Sequence, residues 1–305
     1  MRLLATGANG FLGSHIVDAA IKHLPHAEII ALCRYNSAGT IGWCPRHSRV
    51  KIVRGDIRDS DHIASLGATH IINAAALVSV PDSHDRPGAH WETNSDAVAN
   101  MLIATRGTRF IQISTSEVFD GKEAPYRDRD RVKPITPYGG AKAAAEQIVT
   151  ASGGTVARIF NMFGPRQFPR AVIPLMIRQC LEIREHKRER AELYGPVGSR
   201  AFLYAPWVAE MLIRKVLTDT RPVVQIASNE VIELKWLWGV VADLCHVDPT
   251  LIDWTPPPAN ANPVAQLFGT SSKGYDTRKF NKAELMKTIK WHTTNRDYCS
   301  AGAYQ

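Results

Sequence analysis

The chain has 305 residues, 45% of them hydrophobic and 22% charged, a balance that fits a globular protein and excludes a disordered or fibrous one. No apolar run approaches the ~20 residues of a membrane span. The net charge of +8 comes from dispersed basic residues, and the one dense run, residues 184–190, mixes both signs, so a nucleic-acid partner is not expected. Residues 1–6 already read as a strand, so no signal peptide is expected before the fold, and no membrane partner. Five cysteines without a CxxC pair give neither a disulfide framework nor a metal site, which fits a reduced, cytoplasmic setting.

Taken in order, Arg2–Thr6 reads as a short buried strand and runs straight into Gly7-Ala8-Asn9-Gly10-Phe11-Leu12-Gly13. An amphipathic helix follows, with Ile16, Val17, Ala20 and Ile21 on one face. Glycines between a strand and a helix allow a tight turn and a close backbone approach, and the helix N-terminus suits a pyrophosphate. Gly7, Asn9, Gly10, Phe11 and Leu12 are therefore candidate dinucleotide contacts. Glu28–Cys33 is the second strand. Its tip, Arg34-Tyr35-Asn36-Ser37, lacks the acid that usually holds the adenosine ribose of NAD. Arg34, Asn36 and Ser37 instead suit a 2′-phosphate, so NADP is favoured, with NAD possible.

Val50 to Asp59 contains a third strand, after which Asp56 could accept from the adenine amino group with Ile57 beside the ring. Thr69–Ala76 is a fourth, ending in Ala74, Ala75 and Ala76, small enough to let backbone approach a cofactor. Trp91-Glu92-Thr93-Asn94 leads a helix through Ala97, Met101 and Ala104, and Phe110–Ser114 is the fifth strand. Strand–helix alternation predicts a Rossmann-type doubly wound parallel α/β sheet with ligands at the carboxyl ends of its strands. Gly7, Arg34, Asp56, Ala75, Thr115 and Tyr138 all fall at or just beyond such ends.

The fifth strand delivers Ser114-Thr115-Ser116-Glu117, two steps from Phe119. After a polar loop, Pro137-Tyr138-Gly139-Gly140-Ala141-Lys142 opens a helix. Tyr138 and Lys142, four apart, share one helix face. A phenol ionises near pH ~10, and a neighbouring ammonium favours the phenolate.

Together these segments resemble the extended short-chain dehydrogenase/reductase family that modifies nucleotide sugars. The resemblance rests on Gly7–Gly13, Gly55-Asp56, the alanines after Asn73, Asn94, Ser114–Glu117 and Tyr138/Lys142. It continues through Ala157–Gln167, Ala171–Pro174, Gly198–Tyr204, Tyr275–Lys279 and Ile289-Lys290-Trp291, nearly the whole chain. By that resemblance, Thr115 hydrogen-bonds the sugar C4 oxygen and Tyr138 takes its proton while hydride passes to the nicotinamide. Lys142 lowers the tyrosine pKa and holds the nicotinamide ribose. Asn94, Ser114 and Phe160 join the cofactor contacts. Asn161 and Arg200 hold the substrate diphosphate, with Val78, Ser116, Arg166, Val172 and Tyr194 as further substrate contacts. Residues 1–164 would form the cofactor-binding domain and 165–305 mainly the nucleotide-sugar part, with some elements returning to the first. Trp236-Leu237-Trp238 and Val240-Val241 are expected on a core-facing helix. The family often dimerises through the helices near 95–105 and 138–150, so a homodimer is expected.

Three departures stand out. Phe119 and Pro206 occupy places where the family often has tyrosine and aspartate, and no second diphosphate arginine is evident in residues 260–273. Arg200 would then carry more of that load, with Arg166, Arg170 or Lys273 as substitutes. Glu117 bears on the reaction. A carboxylate there can remove the C5 proton once C4 is a ketone, and Thr-Ser-Glu resembles the sugar-nucleotide 4,6-dehydratases. Segments 72–76, 118–121 and 124–126 are instead similar to dTDP-4-dehydrorhamnose reductases. The expected function is thus an NAD(P)-dependent epimerase/4,6-dehydratase. A 4-ketoreductase is the first alternative, and a non-catalytic NADP-sensing protein on the same fold the second.

Overall fold

The computed structural model describes residues 1–34, 42–195, 199–256 and 266–296. Its first half alternates strand and helix: β1 (Arg2–Thr6), α1 (Phe11–His23), β2 (Glu28–Cys33), β3 (Val50–Arg54), α2 (Ser60–Ser65) and β4 (His70–Asn73). Two short helices, α3 (Val80–Asp85) and α4 (Pro87–Trp91), lead to α5 (Ala97–Ala104), β5 (Arg109–Thr115), α6 (Pro137–Ala151) and β6 (Thr155–Ile159). The rest comprises β7 (Met162–Phe163), α7 (Val172–Arg184), β8 (Ala191–Tyr194), β9 (Ser199–Arg200), β10 (Leu203–Tyr204), α8 (Ala205–Arg214) and β11 (Val223–Ile226). It closes with β12 (Ile232–Glu233), α9 (Leu234–Cys245), β13 (Ile252–Thr255), β14 (Gln266–Leu267) and α10 (Lys282–Thr294).

Seven strands form one parallel sheet in the order β11-β6-β5-β4-β1-β2-β3. Its strands are apolar almost throughout because helices cover both faces. α1 and α8 pack on one face with Ile16, Val17, Val208 and Leu212. α2, α5 and α6 cover the other with Ile63, Val98, Met101 and Val149. The order reverses between β1 and β4, so a crevice opens at the carboxyl ends of those strands. β11 comes from late in the chain yet sits beside β6, and α8 packs on α1.

A further core gathers under α7, α9 and α10 around Phe163, Met176, Leu237, Trp238 and Leu285. Trp238 is buried there, its indole N–H donating to Pro249 O at 2.8 Å. Trp236 departs from the expectation: it is half exposed and meets the edge of Phe280, because helical rotation turns it away from Leu237 and Trp238. The helix expected from Trp91 onward is also interrupted. Glu92–Asp96 form one π-helical turn between α4 and α5, a wider turn that often marks a functional position. Among the described residues, no helix is long and apolar enough to cross a membrane.

Candidate active site

The glycine loop is shaped by close backbone packing. Gly7 has φ +62°, and a Cβ there would lie 2.9 Å from Ala75 N, while one at Gly13 would lie 2.0 Å from Gly7 O. No side chain caps the start of α1, where Gly10 is the cap residue, so the first-turn N–H groups of Phe11 and Leu12 remain open to an anion. The backbone around Ala74, Ala75 and Ala76 is fastened from two sides. Ala75 N donates to Thr6 Oγ1 at 3.1 Å. Asn94 grips Leu77 through both amide groups, accepting from its N–H at 2.9 Å and donating to its carbonyl at 2.8 Å. Asn94 is buried at the π-helical turn and thus supports this loop, having spent its side chain on it.

At the adenosine end, Arg34 is exposed after β2, and its carbonyl accepts from Asn9 Nδ2 at 3.2 Å. Ile57 is buried. Asp56 is already engaged: Arg58 donates to both its oxygens at 3.0 Å, which holds its carboxyl below the usual range. Asn36 and Ser37 lie outside the described residues.

β5 and α6 lock the catalytic candidates together. Thr115 ends β5, and its hydroxyl accepts from Glu117 N at 3.2 Å, starting the 3-10 turn Ser116–Val118. Thr136 caps α6 by accepting from Gly139 N at 3.0 Å. A Cβ at Gly139 would come within 2.2 Å of Glu117 O, so only glycine lets α6 start this close to that turn. Tyr138 is buried and hydrogen-bonded to Thr115. Burial pushes its phenol well above the ordinary range, Thr115 draws it back, and the charge of Glu117 adds to the rise. Lys142 is buried on the same face, donating to Ile113 O at 2.6 Å. Burial pushes its pKa down to about 8, against the pull of Glu146. The neighbour that favours the phenolate in this structure is thus the Thr115 hydroxyl, while the lysine is directed onto a backbone carbonyl.

On the substrate side, Arg200 of β9 is largely buried, which lowers its pKa, and the negative charge of Glu117 counters that effect. The two expected partners from distant segments therefore share one site with Tyr138. Asn161 follows β6, and its side-chain Nδ2 is buried with no acceptor in the protein. Ser116 is buried and Val172 half-buried at the start of α7, whereas Val78 and Tyr194 are exposed. Three expected contacts are differently occupied. Arg166 pairs with Asp18 of α1 at 2.6 Å. Ser114 donates to Glu146 at 2.6 Å. Phe160 is 1% exposed, packed beside Phe119 in the core.

Sequence reasoning overlooked three groups around this site. His90 is fully buried, lies edge-on to Tyr138 at 6.1 Å between ring centroids, and binds Asp82 through Nε2 at 2.9 Å. Arg158 of β6 forms a buried ion pair with Glu146 at 2.7 Å. Thr6, Asn73 and Gln112 stand in register on β1, β4 and β5 and are linked in a row. The signal for the last was visible as polar residues inside otherwise apolar strands.

Fold and site define an enzyme of the extended short-chain dehydrogenase/reductase type, with a dinucleotide cradle at the sheet's switch point and a tyrosine–lysine pair beside it. The sequence model of the NAD dependent epimerase/dehydratase family matches residues 3–226, and the chain belongs to that family. It is 28% identical to a dTDP-glucose 4,6-dehydratase of Streptomyces antibioticus, over 97% of this chain and 93% of the relative. A dTDP-glucose 4,6-dehydratase from Streptomyces venezuelae, solved with NAD bound, shares the fold with a TM-score of 0.87 at 23% identity, covering 98% of each chain. A UDP-glucose 4-epimerase from Thermotoga maritima, solved with UDP-glucose, does so with a TM-score of 0.86 at 21% identity, covering 97% of this chain and 100% of the other.

Proposed function

We propose that this protein is an NAD(P)-dependent epimerase/4,6-dehydratase of a nucleoside-diphosphate sugar, beginning with hydride removal at C4. The observation that carries this reading is the convergence of Glu117, Tyr138 and Arg200 on one site, with Thr115 bonded to the phenol. The dinucleotide would be held by Gly7, Asn9, Gly10, Phe11 and Leu12 at its pyrophosphate, by Arg34, Asp56 and Ile57 at its adenosine, and along Ala74–Ala76. When bound, it supplies the acceptor for the C4 hydride and gives the hydride back later in the cycle. Arg34, at a strand tip without an acid, favours NADP over NAD.

Tyr138 takes the proton of the C4 hydroxyl, and Thr115 hydrogen-bonds the same oxygen. Lys142 holds the nicotinamide ribose and supplies positive charge one helical turn from the phenol. With C4 a ketone, the C5 proton is acidic, and Glu117 removes it. That proton then leaves with the C6 hydroxyl as water, and C5 takes a new proton from solvent as C6 receives the hydride, with Ser116 next to Glu117 contacting the substrate. Arg200 and the unpaired amide of Asn161 hold the diphosphate by charge-assisted and neutral hydrogen bonds. The activity named for the Streptomyces antibioticus relative makes dTDP-glucose the first substrate to test.

A cytoplasmic setting agrees with four buried cysteines present as free thiols. A homodimer through α5 and α6 is supported by two apolar side chains left open nearby, Ile103 at 62% and Trp91 at 47% exposure. A single-chain mass in sedimentation would remove that part of the reading.

The test of the reaction is Glu117→Gln. The variant should retain sugar-nucleotide and dinucleotide binding and lose dehydration by about 10²–10⁴-fold, the usual weight of a general base. Dehydration at full rate in this variant would sink the role given to Glu117.

A further inference from the structure

We propose that Arg158 is a positioning residue for Lys142: by clamping Glu146 it keeps that carboxylate from pairing with the lysine and leaves the amine on the Ile113 carbonyl. The inference rests on the reading of Tyr138 and Lys142 as the working pair. Glu146 stands one turn after Lys142 on α6, the spacing at which a helix forms lysine–glutamate pairs. Here both carboxylate oxygens are spent elsewhere. Arg158 Nε donates to each at 3.0 Å and its Nη2 to Oε2 at 2.7 Å, while Ser114 Oγ adds a bond at 2.6 Å.

The clamp itself is fixed. Arg158 Nη1 donates to Asp128 O at 2.8 Å, and its guanidinium lies 5.3 Å from the centre of the Phe119 ring. Parallel pairing of β5 and β6 sets Ser114 opposite Arg158, so the same register supplies both donors to Glu146. On the other side, Ile113 O accepts from Lys142 at 2.6 Å and from Gln112 Nε2 at 2.9 Å. Gln112 is held in turn by Asn73 Nδ2 at 2.8 Å. The amine is thus fixed on a neutral acceptor, and the carboxylate one turn away is held by a bidentate partner.

The consequence is a lysine that can change charge. Glu146 is the charge that supports the ammonium against burial, and a fully paired carboxylate supports it less than a single one would. The other ionisable groups around the pair are Tyr138 on α6 itself, Glu117 after β5, Arg158 on β6 and Arg200 on β9. His90 of α4 meets Tyr138 edge-on and is bound to Asp82 of α3.

The test reads Lys142 directly, without cofactor or sugar. Protein carrying ¹³Cε-lysine is titrated by NMR, with Lys142→Arg assigning the signal. The wild-type midpoint should fall at about 8. Arg158→Met should raise it by about one pH unit, because the released carboxylate turns to the lysine, and Glu146→Gln should lower it by about as much. Damage to packing alone would not move the two variants in opposite directions. Losing one partner of a buried pair is strongly destabilising, so the neutral double variant Glu146→Gln/Arg158→Met is the second arm. Its midpoint should also lie below that of the wild type.

A midpoint unchanged in Glu146→Gln or in the double variant, or a fall in Arg158→Met, overturns the proposal. Since no turnover is involved, that result is separable from failure of the assigned reaction. With any sugar nucleotide that turns over, the alkaline limb of kcat should follow the same order of variants.

Discussion

Single residues here do their work through what they are already bonded to. Arg34 is exposed and keeps its guanidinium available at the end of β2, whereas Arg166 is paired with Asp18 and Asp56 with Arg58. The proposed preference for NADP therefore rests on Arg34 among the described residues at that tip. Arg34→Ala should weaken NADP binding about tenfold or more, the worth of one charge-assisted contact, and leave NAD binding unchanged; titration calorimetry with both cofactors checks it. Equal loss for the two would place Arg34 on the adenine, with no role at a 2′-phosphate. The same pairings leave the proposed diphosphate contacts to Arg200 and Asn161, the latter with a buried amide lacking any acceptor in the protein.

Elements join by backbone contacts that side chains merely follow. The start of α6 presses against the turn after β5 so closely that a Cβ on Gly139 would lie 2.2 Å from Glu117 O, while one on Gly140 would meet nothing within 4 Å. Adjacent glycines in one helix thus carry opposite expectations. Gly140→Ala should stabilise the protein by about 0.5–1 kcal/mol through helix propensity. Gly139→Ala should cost about 2–4 kcal/mol or shift α6 and take Tyr138 off Thr115, with activity lost. Chemical denaturation of the two variants measures the difference, and similar values would contradict the packing described.

Local spacing made part of this site legible from sequence. Gly7–Gly13 lie within one strand–turn–helix, Tyr138 and Lys142 within one helical turn, and Thr115–Glu117 at one strand end. Each required only a short-range rule. Arg158 reaching Glu146, His90 reaching Tyr138 and the Thr6–Asn73–Gln112 row depend on strand register and helix packing across the sheet. No periodicity within the chain encodes those. The π-helical turn that brings Asn94 onto Leu77 was hidden for a related reason: one extra residue in a turn leaves the apolar pattern nearly unchanged.

At the scale of the whole molecule, two histidines are buried where charge is costly. Burial pushes His15, in α1 under the Pro165 carbonyl, and His292, in α10, down to about 4 from an ordinary 6.5. Between those values the unfolded chain binds protons that the folded chain refuses. Stability is therefore greatest above pH 6.5 and falls as pH drops toward 4, by about 3 kcal/mol for each histidine. Melting temperatures across that window should decline accordingly, and His292→Phe should flatten the decline; a melting temperature constant from pH 7 to 4 would contradict it. α1 carries both the glycine-loop helix start and His15, so cofactor affinity should weaken over the same range.

The most direct test of the central claim is NMR of the product formed from dTDP-, UDP- and GDP-hexoses in deuterated water, with absorbance of the reduced nicotinamide followed alongside. A 4-keto-6-deoxy sugar carrying deuterium at C5, or a C4 epimer, formed without net consumption of cofactor is the predicted result. Steady loss of NADPH with a 4-keto substrate, or dinucleotide binding with no sugar nucleotide converted, would contradict it.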